Sequence, residues 1–135
     1  MTETRLSMRP SEMVWNDQPA LAAGAQFADL LGDPSLPGRY VFRLRASAGH
    51  RAMSHRHPEE RIYTVLSGHF YLGFGHRFTE DRLEEYPEGS VVIVRAGRYH
   101  FQSANSGEYV VQIEGDGPTA VVYQNPQDDP RTVSP

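Results

Sequence analysis

The chain has 135 residues, with 13 basic and 17 acidic side chains and a formal charge of −4. Every basic residue is Arg and there is no Cys, which excludes a lysine Schiff base, a P-loop lysine, a thiolate nucleophile, a disulfide and a thiolate-bound zinc. The mild acidity offers no electrostatic footprint for nucleic acid or an anionic membrane. Acid–base, metal and anion chemistry therefore rests on six His, the carboxylates, Tyr and Arg.

A chain of this length is expected to form one domain with a single core. Residues 1–15 read as a polar N-terminal arm, 16–124 as the folded unit, and 125–135, rich in Pro and polar residues, as a flexible C-terminal tail. The first ten residues lack the apolar core of a signal peptide, and the apolar run Val91–Val94 is far too short to cross a bilayer, so a cytoplasmic protein is expected.

In chain order, Leu21–Leu31 is alanine-rich but interrupted by Gly24, and a strand over Ala25–Leu31 fits as well as a helix. Gly32–Gly38 reads as a rigid loop set by two prolines. Strands are predicted over Arg39–Ala46, Arg61–Leu66, His69–Phe74, Ser90–Val94, Tyr109–Ile113 and Ala120–Tyr123, all rich in Val, Ile, Tyr and Phe. Ser67-Gly68 predicts a tight hairpin between the second and third of these. Thr79–Glu85 predicts one or two helical turns with Thr79 as N-cap. The acidic residues Glu80, Asp81, Glu84, Glu85 and Glu88 read as a solvated face. Many short strands with regular turns predict an antiparallel sandwich or barrel.

The chemistry concentrates at His55-Arg56-His57. Side chains alternate along a strand, so both imidazoles share one face, with Cα atoms about 6.5–7 Å apart. From there both rings can reach one metal ion. Gly49 precedes His55 by six residues and Gly68 follows His57 by eleven; further on come Gly89, Gly97 and His100.

This layout resembles the two motifs of the cupin superfamily, small jelly-roll β-barrels. Gly49, His55, His57 and Gly68 match the first motif; Gly89, Gly97 and His100 match the second. The resemblance spans about Tyr40 to Tyr123 and implies an all-β cupin jelly-roll barrel, a metal held by His55, His57 and His100, and association as a homodimer. Three positions depart from the pattern. Arg61 stands where the family carries a metal-binding glutamate, Arg95 where it carries a proline, and Ala104 where it carries an asparagine. A guanidinium cannot ligate a metal, and alternation turns Glu60 to the opposite face unless a bulge rotates it inward.

Two readings of the cluster follow. In one, three neutral imidazoles bind a divalent ion (Fe, Zn, Ni or Mn), leaving open positions for small molecules, with Arg61 as a bidentate clamp for an anion. The superfamily includes three-histidine iron dioxygenases, so the resemblance implies dioxygenase-like chemistry on a small anionic or polar organic substrate. In the other, Arg61 occupies the metal's place by hydrogen bonds. Tyr63 shares the parity of Arg61 and is a candidate for ligand binding or proton donation. Gln102 shares the parity of His100, and Gln112 is a polar residue within an apolar strand; both are candidate ligand contacts. His50, His69 and His76 read as solvent-facing or locally bonded. Two other functions fit the same residues: a non-catalytic small-molecule binding or sensing module, and a metal-independent isomerase or epimerase with His as base and Tyr63 as acid.

Overall fold

The computed structural model describes residues 7–132; the outermost parts of the expected arm and tail, 1–6 and 133–135, lie outside the described residues. The described residues form eleven strands: β1 (Asn16–Asp17), β2 (Ala25–Leu31), β3 (Gly38–Ala46), β4 (Arg51–Arg56), β5 (Arg61–Ser67), β6 (Phe70–Phe74), β7 (Glu84–Tyr86), β8 (Val91–Val94), β9 (His100–Ser103), β10 (Tyr109–Gly117) and β11 (Val122–Tyr123). They make two antiparallel sheets, one in the order β1-β2-β3-β10-β5-β8 and the other in the order β11-β4-β9-β6-β7. The expected all-β jelly-roll architecture is observed.

Strand alternation builds the core. On the larger sheet Tyr40, Phe42, Leu44 and Ala46 of β3, Arg61, Tyr63 and Val65 of β5, and Tyr109, Val111 and Ile113 of β10 all point inward and are buried. The smaller sheet answers with Phe70 and Leu72, which join Val65, Tyr109 and Ala104 in one apolar cluster. The outward residues of β5 and β8 are different: Ile62, Val91 and Ile93 remain 38%, 59% and 52% exposed, with Ile62 paired to Ile93 across the strands. Strand β8 forms the free edge of its sheet.

Several local expectations are revised. Leu21–Leu31 resolves to strand β2 over Ala25–Leu31, paired along β3. Ser67-Gly68 makes a tight turn but no hairpin: β5 pairs with β8 and β10, whereas β6 pairs with β7 and β9. A turn dipeptide reverses the chain locally and does not decide which strands pair. Gly68 has φ +73°, and a Cβ there would collide with the Glu108 carbonyl, so the turn needs glycine. The helical turns expected at Thr79–Glu85 reduce to a single 3₁₀ turn, Glu80–Arg82, without a Thr79 side-chain cap, followed by β7.

The segments flanking the barrel pack onto it. Arg43 Nη1 lies 3.4 Å from Met13 Sδ, and Arg45 stacks 4.1 Å from the centre of the Trp15 ring. Within the expected C-terminal tail, the described residues make two 3₁₀ turns, Pro126–Asp128 and Pro130–Thr132. Arg131 ties them back by donating to the Val121 carbonyl at 2.6 Å and to Asp129. Proline and polar content removes strand propensity but leaves such capped turns available.

Candidate metal centre

One end of the barrel interior is polar. His55 reaches it through a bulge in β4: Ala52 pairs with Gln102 and His55 with His100, so three steps along β4 match two along β9. Without the extra residue, Ala52 and His55 would face opposite sides of the sheet; with it, both face inward. His57 lies one residue beyond β4 and His100 opens β9. The ring centroids are 5.1 Å apart for His55–His57, 4.3 Å for His55–His100 and 5.1 Å for His57–His100. One ring nitrogen from each lies within 4.8 Å of the others.

The hydrogen bonds fix which nitrogens face the centre. His55 Nδ1 bonds the Met53 carbonyl at 2.7 Å, His57 Nδ1 the Ala120 carbonyl at 2.8 Å, and His100 Nδ1 the Arg98 carbonyl at 3.0 Å. A carbonyl only accepts, so each Nδ1 carries the proton and each Nε2 of a neutral ring presents a lone pair. His57 Nε2 and His100 Nε2 are buried without any partner. Burial lowers the basicity of all three rings, with the nearby Arg61 charge adding to it: His55 falls to about 4, and His57 and His100 go well below their ordinary value. Three neutral imidazoles, each oriented by a backbone carbonyl, make a donor set suited to a divalent metal ion.

Arg61 is inside, as its strand parity requires, and its side chain is only 7% exposed. None of its side-chain hydrogen bonds goes to the three imidazoles. It donates from Nε to Glu59 Oε2 at 3.3 Å, from Nη1 to Tyr63 Oη at 3.4 Å, and from Nη2 to Thr119 Oγ1 at 2.8 Å. Two N–H groups of its five are left for another acceptor. Burial opposes the Arg61 charge, but Tyr63, Tyr40 and Glu59 outweigh it and hold the group protonated.

The remaining candidates divide. Tyr63 and Gln102 line the same cavity as His55, His57 and Arg61. Gln102 donates to Tyr109 Oη at 3.1 Å, leaving its Oε1 buried without a partner. Gln112 is elsewhere: it alternates with the inward Val111 and Ile113 and accepts from Arg43 Nε at 3.0 Å on the outer face. A polar residue among apolar neighbours had two faces available, and the outer one supplied a cation. Glu60 also stays outside, 3.5 Å from Arg95, so no bulge rotates it inward. Of the other histidines, His50 is buried and bonds the Ala22 carbonyl, His69 pairs with Glu85, and His76 meets Gln124.

Sequence reasoning missed Glu59, Thr119, Ala120 and Gln18. For Glu59 the signal was present: its number has the same parity as 55, 57, 61 and 63, and its side chain is only 10% exposed. The other three come from connections whose arrival at the site depends on the closed barrel.

The cavity beside the imidazoles is small, about 30 Å³, room for an ion with a water but not for an organic molecule. Gln18, Phe42, Arg61 and Val121 also form part of a second, outer pocket of about 290 Å³. That volume is near the lower end for small-molecule sites.

No protein-family model matches the sequence, and no curated protein matches it. Solved structures do match in shape. The polyketide cyclase RemF from Streptomyces resistomycificus superposes with a TM-score of 0.73 at 15% identity, covering 97% of this chain and 90% of that one. A cupin 2 conserved barrel domain protein from Rhodopseudomonas palustris gives 0.68 at 15% identity, covering 93% and 89%. The DMSP lyase DddQ from Ruegeria pomeroyi DSS-3 gives 0.66 at 18% identity, covering 84% of this chain and 61% of that one. The chain has the cupin fold, and its three buried histidines are placed to hold a metal ion. One of these neighbours is a cyclase and another a lyase, so the shared fold does not set the reaction.

Proposed function

We propose that this protein is a metal-dependent enzyme of a small organic anion, with His55, His57 and His100 as the metal ligands and Arg61 as the anion-binding group. The observation that carries the reading is the set of three inward imidazoles whose Nδ1 atoms are all occupied by backbone carbonyls. A metal held there supplies Lewis acidity and, if it is iron, dioxygenase-like chemistry. The protein's own part is binding and orientation. Arg61 offers its two spare N–H groups to a carboxylate or enolate oxygen. The Gln102 Oε1 accepts a hydrogen bond from a ligand hydroxyl, and the Tyr63 ring closes the wall. The outer pocket takes the body of the substrate, because the inner cavity is too small for it. Among the described residues no helix is long and apolar enough to cross a membrane.

Metal analysis of the protein purified without a histidine tag tests this reading. One ion per chain is expected, lost in His100→Ala. Arg61→Ala should keep the ion and weaken the response of a cobalt(II)-loaded protein to added carboxylates by about 10-fold or more. Substoichiometric metal that does not rise on adding iron, nickel or zinc would sink the proposal.

We also propose a homodimer. The exposed Ile62, Val91 and Ile93 on the outer face of β5 and β8 support it, since they form an apolar strip beside a free strand edge.

A further inference from the structure

Replacing a metal-binding carboxylate by Arg61 should work against metal binding. A fixed positive charge beside three imidazoles repels a divalent cation, and inside a protein that repulsion is screened far less than in water. Arg61 is also the one charged side chain among the residues lining the cavity. The structure contains a counterweight that the metal-ligand pattern does not include.

Glu59 lies two residues before Arg61, in the connection between β4 and β5, and turns its carboxylate into the barrel. Its Oε2 receives Arg61 Nε and the hydroxyl of Tyr40. Its Oε1 is buried with no partner. Tyr40 is itself fully buried, and the space for its hydroxyl is left by Gly115 on the neighbouring strand, where a Cβ would come within 2.5 Å of that oxygen. Thus Glu59, Arg61, Tyr40 and Gly115 form one arrangement in which a carboxylate is held against a guanidinium out of solvent. The carboxylate takes the Nε side of the guanidinium, while the two unused N–H groups lie on Nη1 and Nη2.

We infer that Glu59 is the counter-charge of the site: a positioning residue that cancels the Arg61 charge towards a metal ion while leaving the Arg61 fork free for an anionic ligand. The carboxylate that ligates metal in the related pattern is thereby moved one step away and acts through Arg61. This inference rests on the metal-centre reading above. It accounts for how three neutral imidazoles and a guanidinium can share one cavity with a divalent ion.

Cobalt(II) affinity, read from visible absorption in competition with a chelator, tests it on the full chain. Glu59→Gln should weaken cobalt binding by about 10- to 100-fold, because an uncompensated guanidinium then faces the ion. Arg61→Gln should act in the opposite direction and tighten binding by about 10-fold, since a carboxylate is left nearby. The Glu59→Gln/Arg61→Gln double variant should return to within about threefold of the starting protein. A purely structural role for the pair predicts weaker binding in all three variants and no recovery in the double one, and that result overturns the inference. So does equal affinity in Glu59→Gln and the starting protein. If Glu59→Gln does not fold, the sign of the Arg61→Gln change decides alone: tighter binding supports the counter-charge, and unchanged or weaker binding refutes it. A starting protein that binds cobalt no better than His100→Ala overturns the metal centre itself, and this inference with it.

Discussion

The two ends of the barrel interior obey the same alternation rule and finish with opposite chemistry. At one end Phe70, Val65, Tyr109 and Ala104 close a dry core, with the Phe70 ring 5.7 Å from Tyr63 and 5.0 Å from Tyr109. At the other, the buried positions hold His55, His57, His100, Arg61 and Gln102, and His57 Nε2, His100 Nε2 and Gln102 Oε1 have no partner. A core normally satisfies its buried polar groups because an orphan costs on the order of 1–3 kcal/mol. The two unpartnered imidazole nitrogens belong to rings whose ligand atoms converge within 4.8 Å, so this end of the barrel gives up stability for binding.

The sharpest way to break this contrast is His100→Ala, described above, which should remove metal binding at the polar end outright. Next in size is Phe70→Ala at the dry end. It should lower unfolding free energy by about 3–5 kcal/mol in urea titrations while leaving cobalt affinity within about threefold. A matching loss of cobalt binding would show that the two ends are not separable.

Acid should discriminate the ends as well. The three histidines hold depressed pKa values when folded, so the unfolded chain takes up protons first as pH falls below 6.5. Their contribution is fully present above about pH 6.5 and is lost as pH falls below it, that of His55, about 2–4 kcal/mol, by about pH 4 and that of His57 and His100 further down. Urea midpoints of the metal-free protein between pH 7 and pH 4 should show this fall, and His55→Gln should flatten it. The smallest effect is expected on the outer surface. Ile93→Glu should change stability by no more than about 0.5 kcal/mol and leave cobalt binding alone, while shifting the chain towards monomer in sedimentation. A dimer that survives this change is not held by the β5–β8 face.

Much of this was legible in the residues. An antiparallel β-fold followed from the short alternating strands, and the shared face of His55 and His57 and the inward turn of Arg61 followed from parity, whereas the jelly-roll barrel and the addition of His100 came through the resemblance of the glycine and histidine layout to the cupin motifs. What stayed hidden depends on breaks in that parity or on long-range closure. The bulge in β4 adds a residue that no local pattern announces, and it determines which neighbours of His55 share its face. Gln112 illustrates the limit of composition: its strand is apolar on one side only, and the Arg43 that pairs with it comes from a different strand. Glu59 shares the parity of its neighbours, but it sits between β4 and β5, where no strand obliges that parity to hold.

The Tyr123 hydroxyl donates to the Ala20 carbonyl at 2.5 Å, joining segments 103 residues apart beside His55. Together with Ala120 on His57 and Thr119 on Arg61, it means that the centre is completed only by contacts spanning most of the chain. Such contacts carry a large loop-closure cost and form late. In refolding, metal uptake should therefore lag behind the recovery of β-structure, making the ion a timer for the last step of assembly. Once bound, it holds the native state by mass action.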